Sequence, residues 1–573
     1  MRIALSFLRI VAGRVAGRPL FDARRLVAAP MMRFAAAAGG AFVLGVACCS
    51  SLPAQPPNNA AKALIAPGGQ QNAPLVPAPN AGGTAQQGGA ANADFDSLIE
   101  LITSTIQTEM WVDNGGTGDI RPFPTGVLVD AAGTLQLRTP TTPAHELALI
   151  RERGRAARPK DRSAPAQEFT GRSDGSLAAA AARRVSNLRC ISLPRLEREI
   201  ARRQAARQPL EPAMLTLAGL QRVRYLFVYP DSRDLVLAGP AGDWQVDAGG
   251  RIVSVDTGQP VVRLDDLLVL LRRGEQAADS FFGCSINPRS EALASAQAFL
   301  ASTGQRPLQP GQRKTWLAEL RNTMGRQNIE VFGIEPASRV ASVLIEADYH
   351  MKLIGMGLAD SVDGVNSYLD LVKASAERDG MSPPAMSVLR WWFALDYDSI
   401  AASPGGDAFQ LVGQGARVLS ENELLARRGR RVHTGRSDAL NRQFAESFTR
   451  HFDSLAAKYP LYGDLRNIFD LAMAVALIQS EDLIDRANWQ PALLLDAGCL
   501  RLPQWAVPRQ VESVVNHRLV NRRHVVAGVS GGVMVAPRGV LEHARVSHRL
   551  PDSAREAGLP NVSPATWWWD AVE

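Results

Sequence analysis

Residues 225–255 read YLFVYPDSRDLVLAGPAGDWQVDAGGRIVSV, and the alternation of apolar runs with turn residues in this stretch decides the fold class. Tyr225 to Tyr229 and Leu235 to Leu237 read as strands joined at Pro230-Asp231, and Trp244 to Val246 and Ile252 to Val255 as strands joined at Gly249-Gly250. Turns this short pair strands antiparallel, because a parallel partner needs a crossover of a dozen or more residues. Helical periodicity stands on both sides. Upstream, Leu193, Leu196 and Ile200 share a face, and Glu199 precedes Arg203 by one turn. Downstream, Leu264 to Leu271 and Asn287 to Leu300 read as helices, the second opened by Asn287-Pro288, and Ile329 to Ile334 as a strand. Ser338 to Ile354 is the clearest helix, with Val340, Val343, Leu344, Ala347, Met351 and Ile354 as its core stripe. Leu389 to Val418 reads as antiparallel strands broken at Pro404-Gly405-Gly406, followed by helices at Asp438 to Tyr459 and Leu465 to Ile478. The last of these is apolar on most sides yet shorter than the ~20 residues a bilayer demands, which predicts a buried central helix. A final β region, His524 to Val535, is predicted to fold back at Ser530-Gly531-Gly532. This mixed order predicts an α+β fold of mixed antiparallel sheets with packed helices.

The chain has 573 residues, more than one growing core accommodates, so several units are expected: 185–308, 309–545, and a tail at 546–573 whose Trp567, Trp568 and Trp569 should dock on the body or a partner. The formal charge of +7 is spread widely rather than gathered on a reading helix, which argues against a nucleic-acid partner. None of Cys48, Cys49, Cys190, Cys284 and Cys499 forms a C-x-x-C pair, so zinc and thioredoxin-like chemistry lack a motif. Loss of the first two with a leader would leave three, either one disulfide plus a thiol or three buried thiols.

Ahead of the body, Arg33 is followed by uncharged Phe34 to Ala47 and then Leu52-Pro53-Ala54, the order of a cleavable secretion signal, with residues 1–54 as leader and cleavage after Ala54. A lipoprotein reading would acylate Cys48 or Cys49 and give peripheral membrane contact. Residues 55–93 are a low-complexity linker of Pro, Ala, Gly, Asn and Gln with little to bury. Residues 94–150 read as a small module, a helix from Phe95 to Met110 and a strand from Gly126 to Val129. Residues 151–184 form an Arg-rich linker, with a solvated default and an acidic polymer as the alternative partner.

Asp94-Phe95-Asp96-Ser97-Leu98-Ile99, Trp111 and Gly115 to Ile120 resemble a module of exported planctomycete proteins and, more faintly, the units that precede secretin channels. From about Tyr225 to Val535 the chain resembles the domain of unknown function 1598 of exported planctomycete proteins. The phrases that carry this are Tyr-Leu-Phe-Val-Tyr-Pro at 225–230 with Leu-Ala-Gly-Pro at 237–240, Gly-Cys-Ser-Ile-Asn-Pro at 283–288, and Glu-Ala-Asp-Tyr-His-Met-Lys-Leu-Ile-Gly-Met-Gly at 346–357. Arg-Trp-Trp-Phe at 390–393 and Val-Glu-Ser-Val-Val-Asn-His-Arg at 511–518 complete them. The resemblance implies export and envelope company; it brings no activity.

Gly528-Val529-Ser530-Gly531-Gly532 matches the G-x-S-x-G nucleophile elbow, with Val525 to Ala527 as a strand before it. Strand and Pro537 follow where the elbow requires a helix, so a hairpin turn fits better. Ser530 with His517, or with His433, His451 or His524, is the catalytic candidate that remains. Glu346 and His350, one turn apart, are candidate metal ligands without a third nearby; most such pairs are ion-paired or hydrogen-bonded helix residues. Asp348 and Lys352 need mean only local helix support. Trp391 and Trp392 should place one ring in the core and one at a surface or interface. No phosphate loop or dinucleotide fingerprint occurs, and no cofactor is expected. With no convergent acid, base and nucleophile, the expected role is an exported envelope protein that binds or scaffolds other envelope proteins, with no transmembrane helix after the leader. An envelope serine hydrolase using Ser530 is the alternative.

Overall fold

The computed structural model describes residues 180–571, except 274–280, 304–311, 381–385, 427–429, 521–522, 544 and 548–549, together with short stretches between residues 102 and 130. The leader, the low-complexity linker, the Arg-rich segment up to residue 179 and most of the small module lie outside the described residues.

In chain order the first strands are β1 (Asp119–Phe123), β2 (Gly126–Asp130), β3 (Ser186–Ser192), β4 (Tyr225–Tyr229), β5 (Asp234–Ala241), β6 (Trp244–Val246), β7 (Ile252–Ser254), β8 (Phe282–Asn287) and β9 (Arg326–Phe332). They are followed by β10 (Met386–Asp396), β11 (Ser399–Ala402), β12 (Ala408–Val412), β13 (Gly415–Leu425) and β14 (Arg431–His433). The last are β15 (Gln510–Glu512), β16 (Val515–Val520), β17 (Arg523–Val535), β18 (Arg545–Ser547) and β19 (Trp568–Asp570). One sheet has the order β18-β11-β12-β4-β5-β3-β19, and a larger one the order β14-β13-β10-β17-β8-β9-β15 with β16 also on β17. Both interleave distant parts of the chain, and residues 185–308 supply strands to each. β1 with β2 and β6 with β7 form separate antiparallel hairpins. Most pairs are antiparallel, and β10 with β17 and β11 with β18 are parallel, so the fold is α+β with mixed sheets.

The strands read around residues 225–255 stand where the sequence placed them. The helix Arg339–Gly355 is capped by the Ser338 hydroxyl, which accepts from the Ala341 amide at 3.2 Å. Its surroundings differ from the single stripe expected: every residue from Arg339 to Gly355 is buried. It packs on β8 and β17 and against the helix Pro460–Ser480, which is buried along most of its length as predicted. Arg339, Glu346, Asp348, His350 and Lys352 of this helix therefore sit inside the molecule and require partners there. Among the described residues no helix is long and apolar enough to cross a membrane.

The predicted reversal at Ser530-Gly531-Gly532 does not occur. β17 runs straight from Arg523 to Val535 at the centre of the larger sheet, parallel to β10 on one side and antiparallel to β8 on the other. The glycines serve close strand approach instead of a turn. Gly531 has φ +138°, and a Cβ on it would overlap the Trp391 carbonyl oxygen; a Cβ on Gly532 would overlap that of Cys284. β16 and β17 pair antiparallel, from Val515 with Gly528 to Val520 with Arg523.

The terminal tryptophans dock as expected: β19 pairs with β3, Trp567 and Trp569 are buried, and Arg189 lies over the Trp568 ring at 4.7 Å. Cys190 and Cys284 are buried free thiols and Cys499 an exposed one, so among the described residues neither a disulfide nor three buried thiols is found. In the small module, Gly126–Asp130 pairs with Asp119–Phe123, and Trp111 and Ile120 are buried against Ile102.

Candidate functional site

Side chains alternate across a strand, so one face of the larger sheet carries Trp391 and Phe393 and the other carries Arg390 and Trp392. The inner face is covered: Trp391 is fully buried, its indole nitrogen donating to the Asn441 side chain at 2.6 Å. On the outer face Trp392 is half-buried, with the Arg390 guanidinium stacked 4.3 Å from its ring. One ring in the core and one nearer the surface is the arrangement the sequence predicted.

Ser530 lies on that outer face, opposite Arg390, which is itself opposite Glu421 on β13. The Ser530 hydroxyl is completely buried and donates to the Glu423 carboxylate at 3.0 Å, with the Leu389 carbonyl at 3.2 Å. Arg431 of β14 donates to both Glu423 oxygens at 3.1 Å. His433 Nδ1 stands 3.3 Å from each of Glu421 and Glu423, and Glu421 also takes the Arg390 guanidinium at 2.9 Å and the Gly435 amide at 2.7 Å. Burial works against the Glu421 carboxylate, but the Gly435 amide and Arg390 outweigh it and hold its pKa below the usual range. Arg431 is also on the rim of a cavity of about 370 Å³ that includes Arg289, Asn287, Asn328, Glu291 and Glu330.

This order of groups is serine, carboxylate, histidine. In a serine hydrolase the imidazole stands between the other two, so that it takes the hydroxyl proton while the acid orients it. Here the carboxylate occupies that place and is clamped by arginine. His517 is elsewhere: it is buried on β16 opposite Val526, four residues from Ser530 along β17, or about 13 Å at the strand rise. Its ring meets Trp316 edge-on at 6.3 Å. His451 Nδ1 is bonded to the Ser447 carbonyl at 2.9 Å. The structure thus does not bring Ser530 and His517 together; it joins Ser530 to His433 through Glu423.

Glu346 and His350 also take separate partners. Glu346 accepts from Arg251, which pairs with Asp464 as well, and Arg339 joins Asp464 to Asp266. Burial pushes the Asp266 carboxyl up to about 7, against the pull of Arg339. His350 Nδ1 is 2.9 Å from the Tyr462 hydroxyl, and its ring stands edge-on to Tyr459 at 4.6 Å. A guanidinium faces Glu346 where a third metal ligand would be needed, and among the described residues no group of three His, Cys, Asp or Glu is placed to hold a metal. Asp348 and Lys352 do more than support their helix locally: both are completely buried, 2.6 Å apart, with the Lys352 ammonium also donating to the Ile286 carbonyl at 3.3 Å.

Sequence reasoning missed Glu421, Glu423, Arg390 and Arg431. The signal present was a period of two in charge, with Glu421 and Glu423 on one run and Arg431 and His433 on the next. No curated protein and no solved structure matches this chain. Residues 284–368, from within β8 through the helix Arg339–Gly355, match the model of a family described as a protein of unknown function, DUF1598, so the match takes in the phrase at 346–357 and most of the one at 283–288 and leaves those at 225–240, 390–393 and 511–518 outside.

Proposed function

We propose that this is an exported envelope protein that acts by binding, giving other exported proteins a contact surface on the outer face of its larger sheet. The observation that carries the reading is the closed state of Ser530: its hydroxyl is buried and committed to Glu423, while Arg431, which holds Glu423, also lines an open cavity with Arg289. A buried hydroxyl held by a charge-assisted hydrogen bond is a fixed part of the sheet rather than a reacting group. Export is supported by the order of Arg33, Phe34 to Ala47 and Leu52-Pro53-Ala54, and planctomycete company by the resemblance of the phrases at 283–288 and 346–357.

The test is site-specific photocrosslinking in producing cells, with p-benzoylphenylalanine in place of Ser290, an exposed position on the cavity rim. The reading expects one discrete adduct in the envelope fraction whose yield drops several-fold with Arg289→Glu. Exported chain that yields no adduct, or an adduct indifferent to Arg289→Glu, would contradict it.

A further inference from the structure

β13 carries a second feature besides Glu421 and Glu423. Its pairing with β10 ends at Asn422, opposite Leu389, and Glu423, Leu424 and Leu425 continue as a two-stranded ribbon with β14, the edge of the larger sheet. One face of this ribbon is anchored: Glu423 takes Ser530 and Arg431, and Leu425 packs on the apolar cluster of the helices Ser290–Thr303 and Gln312–Met324. The other face carries Leu424 and Val432, which stand directly opposite one another. They are 63% and 36% exposed, so two large apolar side chains lie side by side in water at the edge of the sheet.

Cations surround this pair. The Arg430 carbonyl accepts from the Ala426 amide at 2.8 Å, which extends the pairing of the two strands, and alternation puts Arg430 on the Val432 face. The Arg436 carbonyl accepts from the Asn422 amide at 2.8 Å, two residues before Leu424. Arg442, on the helix Ala439–Arg450 that follows, donates to the Ser437 carbonyl at 2.8 Å. All three are exposed, and none forms an ion pair among the described residues. Between residues 424 and 442 the sequence holds one acid, Asp438. Its carboxylate caps the helix through the Asn441 amide at 2.8 Å and takes the Asn422 side chain at 2.6 Å.

We propose that this ribbon docks on an anionic lipid surface, with Leu424 and Val432 entering the headgroup layer and Arg430, Arg436 and Arg442 meeting lipid phosphates. A lipid surface offers hydrocarbon and a dense layer of negative charge together, which is the complement of an apolar pair ringed by unpaired cations. A soluble polyanion would use the arginines alone and leave the apolar pair in water. The docking face is the one turned away from Ser530, so it stands or falls separately from the contact surface proposed above.

The test is cosedimentation of the full chain with vesicles of phosphatidylcholine alone and of phosphatidylcholine mixed with phosphatidylglycerol. Binding to the anionic vesicles is expected, weakened by added salt, with little or none to the neutral ones. An arginine close to such a surface is worth about fivefold in partitioning, so Arg430→Gln, Arg436→Gln and Arg442→Gln together should weaken binding about a hundredfold. Leu424→Thr with Val432→Thr leaves the charge unchanged and puts β-branched residues in both strands, and it should weaken binding several-fold. Both sets replace exposed side chains, and unchanged circular dichroism shows that each variant is folded. Equal binding to the two kinds of vesicle, no binding of the folded parent to the anionic ones, or binding that either set of replacements leaves unchanged would each overturn the proposal. Loss with the arginine set alone would mark a site for soluble polyanions instead.

Discussion

The Asp348–Lys352 pair offers the sharpest test of how this interior is built. Both side chains are completely buried and their charged atoms stand 2.6 Å apart. Burial lowers the Lys352 pKa and raises that of Asp348, while each partner's charge acts in the opposite sense. Lys352→Met keeps the length of the side chain but leaves the carboxylate without its cation, and breaking a buried pair in this way costs about 3–5 kcal/mol. Asp348→Leu alone should cost about as much. The double replacement removes both desolvation penalties, and its stability should return to within about 1 kcal/mol of the parent or exceed it. Protonation adds a sign. A carboxyl whose folded pKa is raised contributes stability that is full below its unfolded value and is lost as pH rises through the folded value. With the cation gone, that rise is larger, so the deficit of Lys352→Met should be smaller at pH 5 than at pH 8. Urea unfolding followed by tryptophan fluorescence at the two pH values measures all of this. Single replacements costing less than about 1 kcal/mol, or a double costing the sum of the singles, would refute the reasoning.

Three further outcomes rest on other contacts in the structure. Gly531→Ala should abolish folding or cost more than about 4 kcal/mol, because the new Cβ meets the Trp391 carbonyl oxygen at a backbone angle that side chains rarely adopt; soluble yield and circular dichroism decide it. Ser530→Ala should cost about 2 kcal/mol in thermal unfolding, the worth of a buried hydrogen bond to a charged group. Asp266, pushed up to about 7 by burial, makes the fold lose stability as pH rises from about 4 to 7, so Asp266→Asn should flatten this slope; the parent-minus-variant difference in urea stability should fall by about 2 kcal/mol between pH 5 and 7.

Much of the architecture was legible because its strands are short runs set off by turn residues, as at Pro230-Asp231 and Gly249-Gly250, and because Ser338 marks a helix start. The failures have common causes. Gly531 and Gly532 read as a turn because local sequence reports that glycine permits unusual dihedrals, not that two neighbouring strands press upon it. Only the last residue of β8, Asn287, falls in the helix predicted from Asn287 to Leu300, since Asn287-Pro288 is both a strand end and a helix-opening signal; the rest of β8 carries no prediction. Glu346, His350, Asp348 and Lys352 looked like the flank of an amphipathic helix, and only tertiary contact makes that helix buried all round. The Ser530 cluster joins β10, β13, β14 and β17 across more than a hundred residues, and pairing between β10 and β17 leaves no local trace. Ser530 was singled out by the right glycines for the wrong reason.

The central claim is that Ser530, the nucleophile the G-x-S-x-G motif offers, is shut inside the larger sheet and committed to Glu423. Incubation of the intact, folded protein with a fluorophosphonate, followed by peptide mass spectrometry, tests it directly. The expected result is unmodified Ser530 at long incubation times; a covalent phosphonyl adduct on that hydroxyl approaching one per chain would contradict the account.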